Sequence, residues 1–228
     1  MYYVFPPTPI TALPIVGLDT LFPVRRVYCV GRNYADHARE MGSDPHREAP
    51  FFFSKPTDAV VPGGGDLPFP SLTRNYHFEV EMVVAIGKGG SDIPVSQALE
   101  HVFGYAVGLD MTRRDLQLAM KEQGKPWDTG KGADFSAPVS AVNPVERIGH
   151  PHSGFIRLGL NSEIKQNGDL SNMSLSVAEV IANLSLFFAL APGDLIFTGT
   201  PAGVGKVERG DEVFAEVAGV GELRVKFV

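Results

Sequence analysis

Three carboxylates at the ends of apolar runs are the residues whose type and spacing point to chemistry. Glu79 and Glu81 lie in His77-Phe78-Glu79-Val80-Glu81, which continues as Met82-Val83-Val84-Ala85-Ile86 and stops at Gly87. The β-branched and apolar content predicts a strand, and residues two apart on a strand share a face. The two glutamates are then neighbours, about 6.6 Å apart along the chain. The opposite face, with Phe78, Val80, Met82, Val84 and Ile86, is wholly apolar and should pack into a core. Beyond Glu81 the carboxylate face continues as Val83 and Ala85. Two like charges at one end of such a strand are costly unless a cation holds them. Taken alone, the pair fits the solvated end of an edge strand equally well. Asp110 ends a second apolar run, Phe103 to Leu109, and this third carboxylate shifts the reading towards a metal site. Such a donor set suits a hard ion, Mg²⁺ or Mn²⁺ and less well Ca²⁺, with water in the remaining positions.

Other residues carry weaker signals. His37 and Glu40 are three apart on a predicted helix and can interact, although an exposed histidine with a neighbour reads the same way. Arg113 and Arg114 stand near the start of a predicted helix, where the dipole disfavours cations; a functional duty and a plain surface pair both fit. Trp127, the only tryptophan, reads as a packing anchor. Gly199-Thr200-Pro201-Ala202-Gly203-Val204-Gly205-Lys206 invites a phosphate-loop reading, but the glycine spacing is one residue too long and no Ser or Thr follows Lys206. A strand rather than a helix is expected next, so the segment reads as a tight turn whose amides can approach an anion.

The elements that position these residues are mostly strands. Residues 1 to 22 are Pro-rich and read as an extended arm with at most one short strand. Arg26 to Val30 is a strand, followed by a helix that Asn33 can cap and Gly42 closes. Phe51 to Pro56 is an apolar strand carrying Lys55, and Gly63-Gly64-Gly65 is a turn. Ser96 is placed to cap a short helix over 97–102. Met111 to Gln123 reads as a helix stopped by Gly124, and 125–132 as an irregular loop. Residues 155–170 form a hairpin turning near Asn161-Ser162. Ser176 to Glu179 has capping-box spacing for a helix to about Leu190. Leu195 to Thr198 and two short strands after Asp211 complete the chain. A single mostly β domain with peripheral helices (α+β), folded over as a roll, is expected over 23–228.

Bulk properties exclude several classes. The 228 residues are 44% hydrophobic and 20% charged, ordinary for a globular chain with a substantial core. The net charge of −6 argues against nucleic-acid binding. Cys29 is the single cysteine, which rules out an internal disulfide and fits a reducing cytoplasm. The N-terminus lacks a basic region and an apolar stretch, and no apolar run approaches membrane length, so neither a signal peptide nor a membrane span is expected.

Taken together, six motifs in order resemble the fumarylacetoacetate hydrolase family. They are Gly31-Arg32-Asn33-Tyr34-Ala35-Asp36-His37, Phe53-Ser54-Lys55-Pro56, Glu79-Val80-Glu81, Leu109 to Gln117, Pro126-Trp127 with Lys131, and Gly199 to Gly205. Among its branches, the whole chain looks most like bacterial fumarylpyruvate hydrolases of the gentisate route. The resemblance implies a mixed β-sandwich roll, a homodimer, and Mg²⁺ or Mn²⁺ on Glu79, Glu81 and Asp110. It also implies a His37–Glu40 dyad on a lid and Lys131 as an active-site cation. Lys55, Arg114, Gln117 and Thr200 would line the substrate pocket. One departure is Gly132-Ala133 after Lys131, where relatives carry bulkier residues, which suggests a more mobile loop. The implied reaction is hydrolysis of the C3–C4 bond of a 2,4-dioxo acid. Decarboxylation of oxaloacetate, isomerisation of unsaturated dioxo acids and simple binding are the competing readings. A second carboxylate on the substrate would need a cation, for which Arg32, Lys55, Arg74, Arg113 and Arg114 are candidates.

Overall fold

A computed structural model describes residues 2–42 and 51–228. Its centre is the strand Val80–Ile86, every residue of which is buried. One face sends Val80, Met82, Val84 and Ile86 into the main core, and the other sends Val83 and Ala85 into a second. A strand apolar on both faces has to sit inside a covered sheet, and this one does. It lies between Asp194–Phe197 and Val102–Leu109, antiparallel to both. Outside Asp194–Phe197 come Arg26–Gly31, in parallel, and then Phe51–Lys55. On the other side Ala137–Val139 and Val60–Pro62 complete the order, and Asn143–Pro144 pairs off the same path.

A second, five-stranded sheet runs Glu163–Asp169, Phe155–Leu160, Glu212–Val217, Gly221–Phe227 and Gly65–Leu67. Its inward residues Ile156, Leu158, Val213, Ala215, Val217, Leu223 and Val225 join the main core with the central strand. The result is the mostly β roll with few helices that the sequence predicts. Among the described residues no helix is long and apolar enough to cross a membrane.

Several local expectations need correction. The N-terminal arm contains a hairpin, Ala12–Ile15 with Leu18–Pro23, rather than one short strand. Its Leu13, Ile15 and Phe22 cover the second core, which would otherwise face water. Asn33 does not cap the helix Ala35–Glu40, because its side chain is taken up elsewhere. Ser96 caps nothing; a 3-10 segment starts at Val95, after Pro94. Thr112–Arg113 is a short strand, so the next helix begins at Arg114. Within 125–132 a helical turn, Asp128–Lys131, replaces the irregular loop. The last helix ends at Phe187, and the expected capping box at Ser176 and Glu179 is present.

Candidate active site

The carboxylates gather at a corner where the chain changes sheets. The predicted strand 77–86 breaks at Glu79: Tyr76–Phe78 pairs with Thr112–Arg113 and Gly205–Val207, and only Val80–Ile86 stays in the large sheet. Asp110 follows directly on Val102–Leu109, and its N–H donates to Glu79 O at 2.9 Å. The register therefore brings Glu79, Glu81 and Asp110 together, with ligand oxygens all within 4.8 Å of one another. All three are buried, at 4%, 2% and 1% exposure.

Three buried cations surround them. Lys131 Nζ, on the turn Asp128–Lys131, donates to Glu79 Oε2 at 2.7 Å and Asp110 Oδ2 at 2.6 Å. Arg114 donates to Glu79 Oε1 and, at 2.6 Å, to Gln117 Oε1. Burial opposes ionisation of Glu79, but Lys131 and Arg114 outweigh it and hold its carboxyl well below the usual range. Burial likewise works against the charge of Lys131, and Asp110 and Glu79 reverse it, pushing the ammonium up. Among the described residues Glu81 forms no ion pair: burial first, then the charges of Asp110 and Glu79, raise its carboxyl well above the usual range. Burial and the facing Arg114 push His77 down to about 4, so its neutral ring accepts from Arg114 Nε at 3.5 Å.

Lys55 does not reach the cavity. It hydrogen-bonds Met111 O and Ser136 Oγ, both at 3.0 Å, and Lys131 O. With three hydrogens so directed, it stands 2.9 Å from Asp110 Oδ1 without hydrogen-bonding it. Asp110 Oδ1 is thus a buried carboxylate oxygen without a hydrogen bond among the described residues. Among the described residues Glu81 accepts only from Gly199 N, at 2.7 Å. Under-satisfied oxygens on Asp110 and Glu81, converging with the Glu79 carboxylate, fit a hard divalent ion.

The turn after Asp194–Phe197 organises the other wall. Gly199 has φ +99°, and a Cβ there would lie 2.8 Å from Asn33 Cβ. Asn33 itself bonds Thr198 O at 2.8 Å and both polar groups of Leu175, which is why it cannot cap. Gly203, at φ +97°, donates its N–H to Glu40 Oε1 at 3.1 Å. The amides of this turn do meet anions, and those anions are the protein's own Glu81 and Glu40. His37 Nδ1 lies 3.1 Å from Glu40 Oε2, so the two side chains are in hydrogen-bond contact.

A single cavity is lined by Glu79, Glu81, Asp110, His37, Lys131, Arg114, Gln117, Thr200 and Arg32. Arg74 and Arg113 do not line it. Lys121 does, and sequence reading passed over it. The signal was available, because Arg114, Gln117, Leu118 and Lys121 fall on one face of a helix at i, i+3, i+4 and i+7. Trp127 anchors as expected, edge-on to Phe51 at 5.1 Å, and also lines the cavity. Gly132 has a packing reason: a Cβ would lie 3.0 Å from Asp128 O and 3.2 Å from Pro56 Cδ.

Comparison with known proteins finds relatives of the same fold over the whole chain. Residues 26–228 match the family model for the fumarylacetoacetate (FAA) hydrolase C-terminal region. A crystal structure of fumarylpyruvate hydrolase from Pseudomonas aeruginosa, in complex with Mn²⁺ and pyruvate, is 56% identical with a TM-score of 0.98. The alignment covers 100% of this chain and 99% of that one. A fumarylpyruvate hydrolase from a Ralstonia species is 43% identical over 180 residues, 79% of this chain and 93% of that protein. The mitochondrial oxaloacetate tautomerase of Mus musculus is 44% identical over 202 residues, 89% of this chain and 91% of that protein.

Proposed function

Because the chain belongs to the fumarylacetoacetate hydrolase family, we propose that it hydrolyses the C3–C4 bond of fumarylpyruvate, releasing fumarate and pyruvate. The observation that carries this reading is one cavity holding a buried three-carboxylate cluster, the His37–Glu40 pair and Lys131. Glu79, Glu81 and Asp110 would hold Mg²⁺ or Mn²⁺. When bound, that ion supplies Lewis acidity and a template for adjacent carboxylate and oxo oxygens.

The chain's own residues supply the proton chemistry. Glu40, held by the Gly203 amide, accepts from Nδ1–H of His37 and leaves the lone pair on Nε2. That nitrogen takes a proton from the water attacking the C4 carbonyl, and the water's oxygen becomes part of the fumarate carboxylate. As the C3–C4 bond breaks, the proton passes to C3 of the departing pyruvate. Such general-base help is worth about 10²–10⁴-fold. Lys131 and Arg114 face the cavity as cations against the oxyanion that develops. Charge supports an anionic substrate: Lys55, Lys131 and Arg114 already pair with Glu79 and Asp110. A divalent ion would add further positive charge for an acidic substrate to meet. Arg32, stacked 5.3 Å from the Phe51 centroid, and Lys121 supply cations for the distal carboxylate.

Tautomerisation of oxaloacetate is the second reading, supported by the mouse relative. It needs proton transfer but no attacking water. The test is kcat/KM for fumarylpyruvate, acetylpyruvate and oxaloacetate at one Mn²⁺ concentration, with enol–keto exchange of oxaloacetate followed in parallel. Preference for fumarylpyruvate is expected. Faster oxaloacetate tautomerisation than any cleavage would overturn the assignment.

A further inference from the structure

The hairpin strand Glu163–Asp169 buries one side chain fully, and that side chain is an amide. Gln166 is 0% exposed, whereas the other residues of the strand are exposed or half-buried. Across the hairpin it pairs with Leu158, a core residue, where packing alone would favour an aliphatic group. An amide is retained in such a place only if its polar atoms are bonded, and all are. Oε1 accepts from Val80 N at 3.0 Å, and Nε2 donates to Thr200 Oγ1 and Pro201 O, both at 2.8 Å.

The partners fix which way the amide faces. Val80 N–H can only donate and Pro201 C=O can only accept, so the oxygen must face the former and the nitrogen the latter. The second Nε2 hydrogen then occupies a lone pair of Thr200 Oγ1. The threonine hydroxyl keeps its own hydrogen, and among the described residues no acceptor takes it. Thr200 lines the cavity. Its hydroxyl is therefore held as a donor towards whatever anionic oxygen enters.

Gln166 also holds the peptide between two of the carboxylates. Glu79 O accepts from Asp110 N on one side. The Val80 N–H of the same peptide points the other way, past the end of Asp194–Phe197, which pairs with the central strand only at Val83 to Ala85. Gln166 Oε1 stands in for the missing strand. The hairpin is packed tightly on the turn it serves: a Cβ on Gly168 would meet Pro201 Cβ at 2.6 Å, and one on Gly203 would collide with Lys165 O.

We propose that Gln166 is a positioning residue for catalysis: it holds the Thr200 hydroxyl as a hydrogen-bond donor to a substrate oxygen and sets the peptide joining Glu79 to Glu81. The proposal rests on the reading of this cavity as the site of an oxo acid.

The test is isothermal titration of the Mn²⁺-loaded protein with oxalate, a dianion that presents adjacent oxygens as a 2-oxo acid does. Gln166→Glu keeps an acceptor for Val80 but cannot donate to Pro201, and its carboxylate claims the Thr200 hydrogen. Oxalate affinity should fall about 10- to 100-fold, the range for losing a hydrogen bond to a charged group. Thr200→Val should cost a similar factor. Gln166→Glu added to Thr200→Val should cost no more than about threefold further, because the two act through one hydroxyl. Gln166→Met, which matches the aliphatic surroundings, is the second variant in case the glutamate fails to fold. It should weaken oxalate at least about threefold in the Thr200 background, and less in the Thr200→Val background. With fumarylpyruvate, KM should rise by a larger factor than kcat falls. Equal losses in the Thr200 and Thr200→Val backgrounds, or no loss in either variant, would overturn the proposal. If the wild type binds oxalate yet cleaves no dioxo acid, the substrate reading fails and the double-mutant cycle still decides the role of Gln166. A wild type that binds no oxalate overturns both.

Discussion

Replacing Glu81 with glutamine separates the cost of a buried charge from its use. Without an ion, Glu81 accepts from Gly199 N, and the ligand oxygens of Glu79 and Asp110 lie within 4.8 Å. At that spacing two unit charges repel by about 3–4 kcal/mol for an effective dielectric constant near 20. Lys131, shared by the other two acids, offsets part of this. The net cost is on the order of 1–3 kcal/mol. An amide of the same shape keeps the acceptor for Gly199 and removes the charge, so metal-free Glu81→Gln should melt about 2–10 °C above wild type at neutral pH. The pH dependence has a definite sign. Burial and the two neighbouring acids raise the folded carboxyl above its usual value. The cost is therefore absent where the carboxyl is protonated in both folded and unfolded states, and it grows as pH rises above the ordinary glutamate range. The gap should be near zero at about pH 4 and open towards neutrality. Saturating Mn²⁺ should shrink the gap, since at about a hundredfold excess over Kd the wild type gains about 2.7 kcal/mol and the variant less. Scanning calorimetry in EDTA and in Mn²⁺, at two pH values, reads all four states. A metal-free variant that melts below wild type at neutral pH would refute the charge reasoning.

His37→Ala and Glu40→Gln should each lower kcat about 10²–10⁴-fold with Mn²⁺ affinity unchanged, and the double variant should lose little more, as steady-state kinetics and metal titration would register. Lys55→Met should destabilise the protein by about 3–5 kcal/mol, because it strips the charge beside Asp110 and three buried hydrogen bonds; an unchanged urea midpoint would contradict this. Lys121→Ala should raise KM for fumarylpyruvate about tenfold and leave acetylpyruvate within about twofold, and equal effects on both would remove Lys121 from the distal end.

The three-carboxylate corner was legible because its grammar is local. Two-residue spacing on an apolar strand, a carboxylate closing a second strand, and glycines marking tight turns are all visible without a fold. The His37–Glu40 contact is local for the same reason, being one helical turn long. What the sequence concealed depends on long-range packing. The break at Glu79 arises because Tyr76–Phe78 finds partners in a different sheet, 35 and more residues away in the chain. Asn33 carries the residue type of a cap but is drawn to Thr198 and Leu175 across the fold. Lys55, with the motif of a substrate contact, is turned behind the site by Met111 O and Ser136. Gln166 carried no motif at all, and its role appears only when the hairpin is packed against the Thr200 turn.

The most direct measurement is anomalous diffraction from a crystal grown with Mn²⁺. One strong peak is predicted inside the cavity, bonded to an oxygen from each of Glu79, Glu81 and Asp110. A peak elsewhere, or an ion at this corner that leaves one of the three carboxylates turned away, would contradict the account.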